Sequence, residues 1–195
     1  MITFPDSEIV KDGLQRYFDH YGFKNGGYND KTFTIKFWGP LKLIFPNTKG
    51  RIEAVKLHDI HHMLTQFEAN LRGEAEIGAW EIAGGLGKYY AGWWLNFGSV
   101  TYGIFLWPRR IYLAYIWGLQ CENLYHHTLY KDYDEKLLTQ TIGDLRSQLG
   151  INKKPNPGLK NTLSFVFAIS MIGLLDLFQL GIVVGFVWLV VWLVR

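Results

Sequence analysis

Three of the six histidines in the chain fall within one short window, His58-Asp59-Ile60-His61-His62. On a helix, residues four apart lie about 40° apart around the axis and one turn along it, so His58 and His62 can bind one ion from the same face. His61 is only three residues from His58, and spacing alone therefore leaves the second histidine ambiguous. Histidines on a solvated helix face that bind nothing are the alternative at this point.

A carboxylate ligand must reach these histidines from another part of the chain. Glu74 follows His58 by sixteen residues, which on one continuous helix would place it about 160° around the axis and several turns away. The chain must therefore fold back first, and we expect the break at residues 68–73. Glu74 would then begin the next helix, where a carboxylate also suits the helix dipole.

Two imidazoles and a carboxylate form a mixed nitrogen and oxygen ligand set. This set is typical of Zn²⁺ with an open water position, and equally of Fe²⁺ or another first-row metal such as Mn or Co. Asp59 lies about 100° from His58 on a helix, so it is either a fourth ligand or an acceptor that orients an imidazole. We expect a divalent metal, with zinc favoured.

Glu81 is the candidate for a base or proton carrier beside the metal. It follows Glu74 by seven residues and so returns to the same helix face. The alternative for Glu81 is a surface or salt-bridged glutamate. The sequence assigns no other catalytic residue.

The whole string His58-Asp59-x-x-His62, followed after eleven residues by Glu74, resembles the HDxxH-x11-E motif of the ubiquinone (coenzyme Q) biosynthesis family known as COQ-four. Four further segments are similar to features of that family: Gly73-Glu74, Trp80-Glu81, Tyr130-Lys131-Asp132-Tyr133 and Leu145-Arg146-Ser147-Gln148-Leu149-Gly150-Ile151. The resemblance spans residues 51–151. The hydrophobic segment that follows is not part of the family pattern.

The resemblance implies an all-helical peripheral membrane protein that binds a divalent metal through His58, Asp59, His62 and Glu74 and holds an isoprenoid tail in an apolar channel. It also implies a part in the oxidative removal of the carboxyl group at ring carbon one of a polyprenylated hydroxybenzoate, and in organising other quinone-biosynthesis enzymes. The aromatic region 89–117 agrees with a channel wall. A non-catalytic lipid-binding scaffold with a structural metal is the second hypothesis, and a metal-dependent membrane hydrolase is the third.

The elements that must position these residues are mostly helical. Alternation of Phe33, Ile35 and Phe37 with polar residues predicts a short strand. Apolar residues spaced at threes and fours from Arg51 predict a helix that closes near residues 70–73, and further helical patterns cover residues 74–83 and 130–149. We therefore expect a mostly all-α fold, with a short N-terminal strand segment at most, in one helical domain over residues 1–152.

The mean hydropathy of +0.02 averages two different parts of the chain. From Thr162 to the end, only Asp176 and Arg195 are charged. We expect residues 153–161 to be a linker and residues 162–195 to be a membrane anchor, either a hairpin that turns between Asp176 and Gly181 or one span after an interfacial helix. Lys153, Lys154 and Lys160 favour a domain on the cytoplasmic face.

Composition excludes several other classes. The single cysteine, Cys121, excludes a disulfide framework and a multi-cysteine metal site. A net charge of +3 without a cationic run gives no electrostatic footprint for nucleic acid. The N-terminal residues resemble neither a secretory signal nor a mitochondrial presequence, so we expect a bacterial inner-membrane protein. Its expected partners are the membrane, an isoprenoid lipid or prenylated quinone precursor, and other quinone enzymes, and a homo-oligomer is left open.

Overall fold

The computed structural model describes residues 2–36, 42–126 and 135–194. The elements in chain order are α1 (Val10–Tyr21), a 3-10 turn (Lys24–Gly27), β1 (Thr32–Lys36), β2 (Lys42–Pro46), α2 (Lys49–Thr65), α3 (Leu71–Gly84), α4 (Tyr90–Leu106), α5 (Pro108–Gly118), α6 (Glu135–Leu138), α7 (Ile142–Gln148) and α8 (Leu159–Val194). The expected fold class, mostly helical with a short strand segment near the N-terminus, is confirmed.

The strand segment is an antiparallel pair. β1 and β2 pair in a register that runs from Thr32 opposite Pro46 to Lys36 opposite Lys42. The rings of Phe33 and Phe45 stack across the pair with centroids 5.4 Å apart. The sequence pattern indicated only the first strand, and Phe37, which was expected to extend it, lies outside the described residues.

Helix boundaries differ from the sequence expectation in two places. α2 ends at Thr65 rather than near residue 70, and α3 begins at Leu71. The helix expected over residues 130–149 is represented by α6 and α7, with residues 127–134 outside the described part of the chain. The break between α6 and α7 has a local cause, because the backbone N–H of Val10 donates to the carbonyl of Gln140 and the Thr141 side chain caps α7.

α3 is the central helix of the domain. It packs against α4 and α5, while α2 contacts α1, α3, α4 and α7. A side chain at Gly103 would collide with Ala75 of α3 and Ile111 of α5, so this glycine permits the close approach of the three helices. One cluster of buried side chains in the core includes Leu14, Tyr17, Leu57, Ile60, Met63, Leu64, Trp80, Ile142 and Leu145.

The chain divides into two units, residues 1–156 and 157–195, and the division falls inside the expected linker. The second unit contains α8, which has 36 residues and is the one helix of the described chain long and apolar enough to cross a membrane. At about 1.5 Å per residue, α8 is about 54 Å long. It continues through Asp176 and Gly181, so the structure has one helix where the sequence offered a hairpin as one alternative.

A buried arginine fixes the C-terminal end of α2, where the histidines lie. Arg146 of α7 is 8% exposed and donates hydrogen bonds to the carbonyl oxygens of Leu64 and Met63, at 2.9 and 2.8 Å. It also donates to the Phe4 carbonyl oxygen and forms an ion pair with Asp6. The last carbonyls of a helix have no partner within the helix, so this guanidinium supplies donors that α2 itself cannot provide.

Replacement of Arg146 by Met should therefore destabilise the domain. The change leaves the Leu64 and Met63 carbonyl oxygens of α2 without the donors that Arg146 supplies, and we expect the free energy of unfolding to fall by about 3 kcal/mol or more. Arg16→Met is the matched control, because Arg16 is half exposed and its ion pair with Glu8 is worth less than about 1 kcal/mol. Thermal unfolding in detergent measures both, and equal losses would contradict this role for Arg146.

Candidate metal centre

The end of α2 aims a backbone carbonyl at one of the histidines. Gln66 has a φ of 63°, in the left-handed region, and its N–H donates to the His62 carbonyl. This sharp end turns the chain so that the carbonyl oxygen of Phe67 lies 2.9 Å from Nδ1 of His62. A carbonyl only accepts, so Nδ1 carries the hydrogen and Nε2 of His62 presents its lone pair.

The start of α3 brings Glu74 back to the histidines, as the sequence predicted. The Asn70 side chain caps the helix by accepting from the N–H of Gly73 at 3.0 Å. A Cβ at Gly73 would collide with the backbone of Glu68, so only glycine allows the loop to pass this close to the first turn. The Gly73-Glu74 pair thus has a physical reason: the glycine makes room for the turn that delivers the glutamate.

His58, His62 and Glu74 form a group whose ligand atoms all lie within 4.8 Å of one another. The two Nε2 atoms of the histidines are 3.1 Å apart. Glu74 Oε2 is 3.3 Å from Nε2 of His58, and Oε1 is 3.2 Å from Nε2 of His62. Ligands bound at about 2.0–2.1 Å around a tetrahedral ion are about 3.3 Å from one another, so the spacing fits such an ion.

The structure resolves which of the neighbouring histidines joins His58. His61 points away from the group, with Nδ1 2.7 Å from Oε1 of Glu81 and Nε2 accepting from the backbone N–H of Leu124 at 2.9 Å. Both of its nitrogens are therefore occupied, and burial lowers its pKa despite the Glu81 carboxylate. His61 is a neutral core residue that helps to fix Glu81.

Glu81 is fully buried and acts through His58. Its Oε1 lies 3.0 Å from Nδ1 of His58, so the ionised carboxylate accepts that hydrogen and leaves Nε2 of His58 free to bind an ion. Tyr125 donates to the same oxygen at 3.1 Å, and Asn96 donates to Oε2 at 2.7 Å. With four donors around it, Glu81 is better suited to orient an imidazole than to accept a further proton.

Asp59 is not in the group of ligand atoms within 4.8 Å. Its Oδ2 accepts a hydrogen bond from the hydroxyl of Tyr28 at 2.6 Å instead. Burial raises the pKa of Asp59 to about 6, although Tyr28 and the nearby histidines lower it. The side chain therefore lies close enough to the centre to affect its charge, and its expected place among the ligands stays a prediction.

The electrostatics of the group match a site for a cation. Burial would lower the pKa of His58, but the carboxylates of Glu81 and Glu74 outweigh it and raise this pKa well above its usual value. Burial also acts to raise the pKa values of Glu74 and Glu81, but the histidines outweigh it and hold both below their usual range. The pocket thus stabilises positive charge between the two carboxylates.

The centre opens to solvent on one side. The side chain of Glu74 is 40% exposed, whereas that of His62 is 1% exposed and that of His58 18%. The Tyr17 ring stacks on His62 with centroids 5.7 Å apart and closes another side. An outside molecule would therefore approach the ligand group past Glu74.

Sequence reasoning missed Asn96, Tyr125 and the Phe67 carbonyl. Asn96 had a usable signal, because it is the only amide side chain in the uncharged segment of α4. The Phe67 carbonyl had no signal in the sequence, since its direction depends on the backbone turn at Gln66.

The aromatic region expected to wall a channel forms α4 and α5, with Tyr115 buried and Trp94 exposed. The isoprenoid channel stays a prediction.

Loss of the Glu81 charge should weaken metal binding. For Glu81→Gln we expect the Zn²⁺ affinity to fall about 10- to 100-fold, because the imidazole of His58 loses its orienting acceptor. Glu76→Gln is the matched control, since Glu76 is also buried on α3 but pairs with Arg110 at 2.9 Å. Titration calorimetry measures the affinity of each, and an equal loss in the two variants would refute the specific role of Glu81.

Binding of an ion should release a proton. The raised pKa of His58 means that the metal-free protein holds a proton there at pH 7, so a divalent ion displaces about one proton and its affinity increases with pH up to that pKa. Calorimetry in two buffers of different ionisation enthalpy counts the protons. Glu81→Gln should release fewer, because one of the two carboxylates that raise the pKa of His58 is gone, and a heat independent of buffer would contradict the assignment.

Comparison of the chain with protein-family models, with curated proteins and with solved structures finds no match.

Proposed function

We propose that the protein is a membrane-anchored, divalent-metal protein of quinone biosynthesis. The observation that carries the proposal is the convergence of the two Nε2 atoms and the Glu74 carboxylate, each imidazole having its Nδ1 hydrogen fixed by an acceptor. Zinc is the favoured ion, because a mixed nitrogen and oxygen set with an open position is typical of catalytic zinc sites. Iron, manganese or cobalt would suit the same ligands.

The substrate class we propose is a polyprenylated hydroxybenzoate or a related aromatic acid. Its support is the resemblance of the His58 to Glu74 motif, together with an apolar helix that gives the chain access to the membrane where such a molecule dissolves. The bound ion would supply Lewis acidity toward a carboxylate or hydroxyl oxygen of the ring. We propose that the carboxyl group at ring carbon one leaves as carbon dioxide in an oxidative step that takes dioxygen as its external oxidant and leaves a hydroxyl group on the ring.

The residues of this chain have separate tasks in that scheme. Glu81 and the Phe67 carbonyl hold the two imidazoles in the orientation that presents Nε2. Glu74 contributes a ligand at the open side. The Tyr17 ring stacks on His62 and keeps bulk water from its buried face, while Trp80 and Tyr125 pack against His61, which helps to hold Glu81.

The cellular setting is part of the proposal. We propose that α8 anchors the protein in a bacterial inner membrane with the metal domain on the cytoplasmic side, as Lys153, Lys154 and Lys160 favour. Other quinone-modifying enzymes are the proposed protein partners.

A second candidate function is a non-catalytic scaffold in which the metal is structural. This candidate is favoured by the burial of His62 and by the position of the group, where an ion would link α2 to α3. The scaffold would bind isoprenoid lipid and recruit partner enzymes. Loss of the metal would then lower the melting temperature without accumulation of one particular precursor.

Substitution of the ligands tests the proposed function. For His62→Ala and Glu74→Ala, in cells that depend on this protein for quinone synthesis, we expect loss of bound metal and accumulation of a prenylated precursor that retains its carboxyl group. Glu76→Gln is the control for a buried α3 glutamate outside the ligand group. Metal analysis and lipid mass spectrometry give the two readouts. An unchanged content of bound metal together with a normal quinone profile would contradict the proposal.

A further inference from the structure

α4 has an unusual distribution of side chains. Its 17 residues contain no charged side chain. The buried positions are small, namely Gly92, Asn96, Val100 and Gly103. Three bulky residues lie outside, with Tyr90 80%, Trp94 58% and Phe105 81% exposed. A surface helix of a water-soluble domain normally has the opposite arrangement, with large apolar groups inward and polar groups outward.

The two sets lie on opposite sides of the helix. At about 100° per residue, Tyr90, Trp94 and Phe105 fall within about 60° of one another, and Gly92, Asn96 and Gly103 fall on the far side. We call Tyr90, Trp94 and Phe105 the outer face of α4. This face extends over about 22 Å at the helical rise of about 1.5 Å per residue.

The packing of α4 keeps the outer face turned outward. Asn96 donates to Glu81 in the interior at 2.7 Å, so rotation of the helix would remove one of the four donors to a buried carboxylate. Gly103 lies against Ala75 and Ile111, where a side chain would collide. The aromatic residues therefore cannot turn into the core, and their exposure is a fixed property of the fold.

Charge and composition indicate what covers this face. Lys88 lies two residues before α4 and the exposed Arg109 follows it, beside Arg110, which pairs with Glu76, so cationic groups flank an uncharged helix. Trp and Tyr are the side chains enriched where a membrane meets water, and cations attract anionic lipid headgroups. A bilayer is also within reach, because the same chain contains α8, which is long and apolar enough to cross one.

We propose that the outer face of α4 lies in the surface of a bilayer that contains anionic lipid, with its aromatic side chains among the upper acyl chains. α4 is then an interfacial helix, parallel to the membrane plane, in addition to the anchor formed by α8. The domain is held in a defined orientation rather than tethered freely.

This orientation has a consequence for the metal centre. The Tyr102 hydroxyl of α4 donates to the carbonyl of Leu71, three residues before the exposed ligand Glu74, and Leu71 is itself 67% exposed. Because α3 packs against α4, docking of α4 also fixes the distance and tilt of the ligand group relative to the lipid surface, where a prenylated aromatic acid would present its ring. This consequence rests on the proposed function, whereas the docking of α4 does not.

Spin labels on the full chain in lipid nanodiscs test the docking. In a Cys121→Ser background, a nitroxide is placed at Trp94→Cys, at Phe105→Cys, or at Lys11→Cys as a control on the exposed side of α1. In nanodiscs of POPC with POPG we expect the labels at 94 and 105 to be relaxed by oxygen and protected from chromium oxalate. The label at 11 should show the reverse, and omission of POPG should reduce the protection at 94 and 105.

Two outcomes would overturn the proposal. If the labels at 94 and 105 are as accessible to chromium oxalate as the label at 11, the outer face of α4 is exposed to water. Protection from both reagents, with dipolar broadening that disappears on dilution with unlabelled protein, would show that a second copy covers the face. Neither outcome involves the metal, so failure here is distinct from failure of the proposed function.

A measurement without labels keeps the test independent of cysteine variants. Brominated lipids quench tryptophans that contact acyl chains, and Trp188 and Trp192 of α8 supply a constant background. We expect the wild-type chain to lose more fluorescence on addition of brominated lipid than Trp94→Phe, which removes one lipid-exposed indole. An equal loss in the two proteins would overturn the docking.

Discussion

Two imidazole lone pairs and a carboxylate cannot lie about 3 Å from one another inside a protein unless positive charge lies between them. This constraint governs the centre formed by His58, His62 and Glu74. Without a metal, a proton on His58 provides this positive charge, which is why the pKa of that side chain is raised. With a divalent ion, the same atoms become ligands, so the proton and the ion compete for one place.

The rest of the domain maintains this convergence against its electrostatic cost. Arg146 fixes the end of α2, the turn at Gln66 directs a carbonyl to His62, and Gly73 lets α3 start close enough to deliver its glutamate. Glu81 depends in turn on Asn96, which places α4 with its small residues inward. The same packing that holds Asn96 against Glu81 therefore leaves the outer face of α4 exposed.

The sequence predicted the parts that depend on periodicity and spacing. The return of Glu74 to the histidines followed from helical geometry, and a helix long and apolar enough to cross a membrane followed from the scarcity of charged residues after Thr162. Spacing could not separate His61 from His62, because the choice depends on the direction of a carbonyl and of a buried carboxylate. The burial of Glu81 likewise could not be predicted from the sequence, since it arises from α4 and Tyr125, which are distant in sequence.

X-ray absorption spectroscopy of the purified protein loaded with zinc tests the central claim most directly, because it reports the atoms bound to the ion. The account predicts a first shell of nitrogen and oxygen only, with the outer-shell scattering of two imidazoles, and loss of one imidazole in His62→Ala. A shell that contains sulfur, or one without imidazole scattering, would contradict it, because the ion would then be bound elsewhere in the chain.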